Sequence, residues 1–103
     1  MPTNTVNSFY SGDTVRFSIA FTVGSTDTDP TGIIFRTKNP NGVVSSYTYG
    51  TDAEVIKVSQ GNYRVDLALS LLGEYNYRWE GSGTTAPGVS EGRIKINRSN
   101  VIM

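Results

Sequence analysis

The segment Leu71-Leu72-Gly73-Glu74-Tyr75-Asn76-Tyr77-Arg78-Trp79 is the part of this chain that best reveals its fold class. From Glu74 onward, polar and aromatic residues alternate with a period of two. That is the period of a β-strand with one buried face and one wet face. Tyr75, Tyr77 and Trp79 are therefore predicted to point into a core, and their polar neighbours to point outward.

Three further segments alternate in the same way and are separated by turn-forming residues. Asn39-Pro40-Asn41-Gly42 is typical of a tight turn, because proline presets φ and glycine accepts a positive φ. Seven to eight short strands with no convincing helix predict an all-β, antiparallel β-sandwich. The predicted core consists of Val15, Phe17, Ile19, Phe35, Val65, Leu67, Tyr75, Tyr77, Trp79, Ile94 and Ile96.

Composition argues against several classes of function. The chain has 103 residues, enough for one domain, and its nine basic and nine acidic residues cancel, so no basic surface for nucleic acid is expected. It lacks cysteine and histidine, which removes thiolate nucleophiles, the commonest general base and the commonest metal ligands. We therefore expect neither an enzyme nor a cofactor-binding or metal-binding protein. No apolar run is long enough to span a membrane.

Acidic residues are the remaining candidates for chemistry. Asp27 and Asp29 could offer oxygens to calcium, but known calcium loops use more ligands at tighter spacing. Glu74, Glu80 and Glu91 could pair as catalytic carboxylates. Exposed charge pairs with Arg78, Arg64 and Lys95 account for these glutamates without a cleft or a raised pKa.

Candidate interface residues come from two segments. Tyr47 and Tyr49 share one strand face with a serine, and such a polar and aromatic face suits a protein contact or a sugar-binding platform. Val101, Ile102 and Met103 form an apolar end to the chain, which either packs on the domain or a neighbour, or frays. The predicted organisation is an arm over residues 1–8, a sandwich over 9–97 and a tail over 98–103. The arm lacks the basic and apolar regions of a signal peptide.

The chain as a whole resembles small immunoglobulin-like proteins encoded among the virion-structure genes of tailed bacteriophages. The resemblance spans about Tyr10 to Asn97. It is carried by the following elements: Tyr10-Ser11-Gly12-Asp13-Thr14-Val15, Asp29-Pro30, Asn39-Pro40-Asn41-Gly42, Gly61-Asn62-Tyr63-Arg64-Val65-Asp66-Leu67, Tyr75-Asn76-Tyr77-Arg78-Trp79-Glu80-Gly81 and Glu91-Gly92. It also implies that the Tyr75 hydroxyl ties a corner of the sandwich to nearby backbone.

The resemblance implies a non-enzymatic component of a virion, assembled in the host cytoplasm. Capsid cement or decoration is favoured over a neck or tail position. The expected partners are major capsid, neck or tail subunits, with many copies on the particle and a monomeric or weakly associating protein in solution. The alternative is a carbohydrate- or host-surface-binding module that uses Tyr47 and Tyr49.

Overall fold

The computed structural model describes residues 8–98, and this part of the chain is all-β, with no helix. Ten strands follow one another: β1 Ser8–Tyr10, β2 Thr14–Ala20, β3 Thr22–Val23, β4 Thr26–Asp27, β5 Gly32–Lys38, β6 Val44–Thr48, β7 Val55–Ser59, β8 Asn62–Ala68, β9 Gly73–Ser82 and β10 Gly88–Asn97.

The strands form two larger sheets and one small hairpin. A five-stranded sheet has the order β1-β10-β9-β5-β6, and a three-stranded sheet has the order β2-β8-β7. The hairpin joins β3 and β4. All neighbouring pairs are antiparallel except β1 and β10, which run parallel and pair Ser8 with Lys95. The architecture is consistent with a β-sandwich.

Side chains from both larger sheets share one core. The ring centroids of Phe17 in β2 and Phe35 in β5 lie 4.9 Å apart, and Phe35 also contacts Trp79 in β9 at 4.6 Å. Trp79 is only 1% exposed. Eight of the predicted core residues are buried: Val15, Phe17, Phe35, Val65, Tyr75, Trp79, Ile94 and Ile96. The other three, Ile19, Leu67 and Tyr77, are partly buried against the same cluster.

The predicted role of Tyr75 is confirmed. Its side chain is buried, and its hydroxyl accepts a hydrogen bond of 3.3 Å from the backbone N–H of Leu71. This bond holds the loop that leads into β9. Gly73 follows in the left-handed region at φ +122°, and a Cβ there would lie 3.0 Å from Pro40. The loop before β9 therefore packs closely against the turn between β5 and β6.

The alternation from Val15 to Val23 predicts one continuous strand. In the structure, β2 ends at Ala20. The chain leaves the sheet at Phe21, whose N–H bonds to Gly61 and whose carbonyl accepts from Thr28. Phe21 stays buried, but Val23 is exposed in the hairpin. The hairpin joins Thr22 and Val23, at the end of the predicted strand, to Thr26 and Asp27, which lie in the polar segment Gly24 to Thr31 that is predicted to be a loop. It supplies β3 and β4, which raise the strand number from the predicted seven or eight to ten.

Candidate interaction surface

The structure separates the two tyrosines that the sequence places on one candidate surface. Tyr47 lies opposite Phe35 in the pair β5–β6 and is half-buried, with the two ring centroids 6.4 Å apart. Tyr49 lies just past the end of β6 and is 42% exposed. Tyr47 is therefore largely a packing residue, and Tyr49 is the tyrosine that a partner can reach.

The ring of Tyr49 rests edge-on against Tyr63, with centroids 5.2 Å apart. The Tyr63 hydroxyl in turn donates to Oδ1 of Asp29 at 2.7 Å. Tyr49 is thus held by an aromatic neighbour that is itself fixed by a hydrogen bond. Tyr63 itself is buried, so Tyr49 is the ring of this pair that is exposed to solvent.

The apolar residues Val101, Ile102 and Met103, predicted to form an interface, lie outside the described residues. The described chain nevertheless shows where the C-terminal segment begins. Asn97 is the last residue of β10, and it pairs with Tyr10. The Asn97 carbonyl accepts a hydrogen bond of 3.1 Å from the N–H of Ser11. Residue 98 therefore leaves the domain beside the turn that joins β1 to β2.

This end of the domain carries exposed apolar side chains that are not among the predicted interface residues. The turn between β1 and β2, the turn between β5 and β6, and the loop between β8 and β9 all lie here, because their strands start or stop together. We call it the apolar end and define it by Tyr10, Val43, Leu71 and Leu72. Their exposed fractions are 52%, 57%, 39% and 47%.

Hydrogen bonds to the backbone hold the loops of the apolar end in place. Gly12 N–H donates to the Leu69 carbonyl at 2.9 Å, and Ser11 Oγ donates to the Ser70 carbonyl at 2.8 Å. Together with the bond from Leu71 to Tyr75, they fix both loops against the strands. An apolar surface on an ordered backbone loses little conformational entropy on binding, which favours a docking role.

In the sequence, the same residues look like the approach to a strand. Leu71 and Leu72 precede the aromatic alternation, and nothing in their spacing indicates exposure. Their position beside Gly73 is the one feature of the sequence that could indicate exposure. Two adjacent leucines next to a turn glycine fit the two-residue alternation of neither β8 nor β9.

The acidic loop is organised by the protein's own donors. The carboxylate of Asp29 accepts from the N–H of Gly61 at 2.7 Å and from Lys57 Nζ at 2.8 Å, in addition to Tyr63. The hydrogen bond from Lys57, then those from Gly61 and Tyr63, lower the pKa of Asp29 to about 2. Asp27 accepts a bond of 3.2 Å from the side-chain amide of Asn62. These bonds give both carboxylates a structural role.

The glutamates predicted to form charge pairs do so on the outer face of the five-stranded sheet. Arg78 Nε lies 2.7 Å from Glu80 and its Nη1 lies 2.6 Å from Glu91, while Arg36 Nε lies 3.2 Å from Glu80. Hydrogen bonds from Arg36 and then Arg78 lower the pKa of Glu80. A lowered pKa is the opposite of what a general acid near neutral pH needs.

Two of the expected partners of these glutamates are different in the structure. Arg64 lies in the three-stranded sheet, where its Nε is 3.9 Å from Asp66. Glu74 lies 3.9 Å from Arg93 in β10. Glu74 is directly opposite Lys95 in the β9–β10 register, but no salt bridge joins these two side chains within the described part of the chain. The sequence indicated the outward face correctly, but not which strands become neighbours.

Among residues 8–98, no group of three or more acidic side chains is arranged to hold a metal ion, and no helix could cross a bilayer. No family model matches the chain, and no curated protein or solved structure matches it either.

Proposed function

We propose that this protein is a non-enzymatic structural accessory of a tailed bacteriophage particle, with an immunoglobulin-like fold. It attaches to other virion proteins, with capsid cement or decoration favoured over a neck or tail position. The observation that carries the proposal is the apolar end, where Tyr10, Val43, Leu71 and Leu72 are exposed on ordered loops.

The strand order supports the immunoglobulin-like part of the proposal. In such domains, strands B, E and D form one sheet with the first strand, and C, F and G form the other. Here β2, β8 and β7 would correspond to B, E and D, and β5, β9 and β10 to C, F and G. The first strand differs from that pattern, because β1 pairs with β10 and not with β2. The hydrogen bond from Leu71 to Tyr75 lies where the tyrosine of such a corner is expected.

The proposed mode of attachment uses many weak contacts. Burying a leucine side chain contributes roughly 2 kcal/mol at most, before the cost of ordering the partners is subtracted. The apolar end of a single copy is therefore expected to bind one partner subunit only weakly. A lattice that presents many equivalent sites at high effective concentration can still retain the protein firmly. The C-terminal segment leaves the domain beside the same end, so it would share this contact.

Reconstruction of the assembled particle tests the proposal most directly. A large symmetric copy number would place the protein on the capsid, and a small fixed number at the neck or tail. Absence from purified particles would overturn the virion assignment. Surface variants then test the apolar end. We expect Leu72→Asn to reduce occupancy on particles, and Val58→Asn, a change at an exposed position of β7 in the other sheet, to leave it unchanged.

Deleting residues 98–103 tests the contribution of the tail. The melting temperature of the isolated domain should remain nearly the same, because the predicted core lies within residues 9–97. Occupancy on particles should fall. An unfolded truncated domain, or unchanged occupancy, would show that this segment is not an anchor.

A carbohydrate- or host-surface-binding module is the second candidate, and the exposure of Tyr49 favours it. A flat ring held against Tyr63 could stack on the apolar face of a sugar. A glycan array would distinguish the two proposals. Strong binding that Tyr49→Ala abolishes and Tyr10→Ala preserves would support the module, whereas an array without hits would favour the structural role.

A further inference from the structure

The sheet edges of this domain differ in how many backbone groups they leave without a partner. In the five-stranded sheet, β6 is an outer strand. The N–H of Tyr49 donates to the carbonyl of Ile33 at 3.0 Å, so alternate residues of β6 face β5 and the others face outward. The residues of β6 whose backbone N–H and C=O groups point away from β5 are Val44, Ser46 and Thr48.

The end of β6 is closed by its own turn. The N–H of Thr48 donates to Oδ2 of Asp52 at 2.7 Å, and its carbonyl accepts from the N–H groups of Thr51 and Asp52. Only the backbone groups of Val44 and Ser46 are then left on β6 to form hydrogen bonds with another strand. The opposite edge of the same sheet, on β10, is covered by β1 from Lys95 to Asn97. The rest of β10, from Gly88 to Ile94, has no strand partner on that side within the described residues, but it contains Gly88 and Gly92, and glycine weakens a strand.

In the three-stranded sheet, β7 is a poor edge for a different reason. Its register shifts between Lys57 and Ser59, which marks a bulge. A bulge bends the strand and interrupts pairing with another strand.

The remaining edge, β2, is regular along its whole length. Leu69 N–H donates to the Asp13 carbonyl and Phe21 N–H to the Gly61 carbonyl, at the two ends of the β2–β8 pair. These bonds show that Val15, Phe17 and Ile19 face β8. The backbone groups of Thr14, Arg16, Ser18 and Ala20 therefore point outward, and within residues 8–98 no strand pairs with them.

This open row is complementary to itself. If two copies approach antiparallel about a two-fold axis at Phe17, Arg16 of one copy faces Ser18 of the other, and Thr14 faces Ala20. These opposed pairs consist of residues whose backbone groups point outward, so they can exchange hydrogen bonds, and the pairs between them are the non-hydrogen-bonded pairs of an antiparallel ladder. Serine, threonine and alanine are small, and Arg16 already pairs with Asp66 at 2.8 Å, so its charge is compensated.

The inward face of β2 fits the same arrangement. Val15 and Phe17 are buried, but Ile19 is only partly buried. In the antiparallel register, Ile19 lies opposite Val15 of the second copy. Pairing would cover the exposed part of Ile19 with an apolar neighbour. Isologous two-fold contacts of this kind are the commonest form of protein self-association.

We propose that this protein forms a homodimer through antiparallel β2–β2 pairing, which joins the two three-stranded sheets into one continuous sheet of order β7-β8-β2-β2-β8-β7. The interface consists of backbone hydrogen bonds and a few small side chains, so the dimer dissociates readily on dilution. The proposal does not depend on the phage assignment.

Disulfide trapping tests the register, because the chain contains no cysteine of its own. Opposed residues in an antiparallel pair lie about 5.5 Å apart between Cα atoms, within disulfide range, whereas diagonal neighbours lie about 7–8 Å apart. A mixture of the Arg16→Cys and Ser18→Cys chains should therefore form disulfide dimers much faster than either chain alone. Equal rates in all three samples would contradict the register.

Sedimentation from about 10 μM to about 1 mM tests the dimer itself, in the range where small interfaces dissociate. Ser18→Pro removes an outward N–H and leaves the β8 pairing intact, so it should weaken dimerisation by at least about tenfold. Ser46→Pro removes an outward N–H from β6 and is the matched control. A chain that is monomeric at every concentration, or equal effects of the two prolines, would overturn the proposal.

The N-terminal segment is the competing occupant of this edge. A chain that lacks residues 1–7 should dimerise like the full chain if β2 receives a second copy. Dimers that appear only after this deletion would assign the edge to the chain's own N-terminal segment and would overturn the proposal.

Discussion

The Tyr63 hydroxyl donates a hydrogen bond of 2.7 Å to Oδ1 of Asp29, and this bond links the two larger sheets. Tyr63 belongs to β8 of the three-stranded sheet, whereas Asp29 lies in the segment that leads into β5 of the five-stranded sheet. The same carboxylate also receives Lys57 from β7 and the N–H of Gly61 from the β7–β8 turn. One side chain therefore fixes how a hairpin of one sheet meets the first residues of a strand in the other.

Asp29 should make stability depend on acid pH. Its pKa is lowered from the ordinary value of 3.8 to about 2, so the folded state favours the charged form. The resulting stabilisation is complete above the unfolded pKa and is lost as pH falls from about 4 to about 2. Chemical denaturation at a series of pH values should show this loss in the native protein and a smaller loss in Asp29→Asn. Glu54→Gln is the control, and it should retain the native pH profile.

Tyr75→Phe should destabilise the domain by about 1 kcal/mol, because the N–H of Leu71 loses its acceptor at a partly buried position. Tyr10→Phe removes a hydroxyl from an exposed ring and should have almost no effect. Urea unfolding of the two variants measures the difference. Equal stability of the two would mean that the hydroxyl of Tyr75 does not hold the loop before β9.

Trp79→Ala should cost roughly 3–5 kcal/mol, since it removes a large ring that is almost completely buried between the sheets. The native protein should also show blue-shifted tryptophan emission, which moves to the red on unfolding. A native spectrum like that of tryptophan in water would contradict the position of this ring in the core. Val58→Ala, at an exposed position, should cost far less.

Gly92→Ala should destabilise the domain by about 1–3 kcal/mol, the usual range for overpacking. A Cβ at Gly92 would lie 2.4 Å from the hydroxyl oxygen of Tyr77 and 2.5 Å from its Cζ, so the ring must move. Gly88 lies in the same strand, but a Cβ there would be 3.9 Å from Phe21, an ordinary contact. Gly88→Ala should therefore be tolerated. Thermal unfolding of both variants, with Tyr77→Ala added to Gly92→Ala as a rescue, checks this explanation.

Much of the strand architecture was predictable, because a two-residue period reports which side of a strand is buried. Tyr75 and Trp79 are inward, and Glu74 and Arg78 are outward, as their alternation indicates. The prediction that Val23 faces inward is wrong, because a two-residue period does not show where a strand leaves its sheet. That point is set by Phe21, whose backbone bonds to residues about forty and seven positions away rather than to near neighbours.

The candidate surface was less predictable. Tyr47 and Tyr49 are two residues apart, so the strand period predicts the same face for both. In the structure, Tyr47 packs against Phe35 and Tyr49 is exposed, because β6 ends between them. The apolar end was missed for a related reason. Leu71 and Val43 are distant in the chain, and only the pairing of their neighbouring strands brings them to one end of the domain.

The sequence by itself determined the all-β class, the inward and outward faces of the main strands, and the tight turns. Each of these depends on local physics, namely the strand period and the backbone preferences of glycine and proline. The tertiary structure alone decided which strands became neighbours, which charges paired, and which strands of residues 8–98 lie at the sheet edges. Those outcomes depend on contacts between residues far apart in the chain. The ion pair of Arg78 with Glu91 belongs to this second group, and so does the edge of β2, which has no strand partner within residues 8–98.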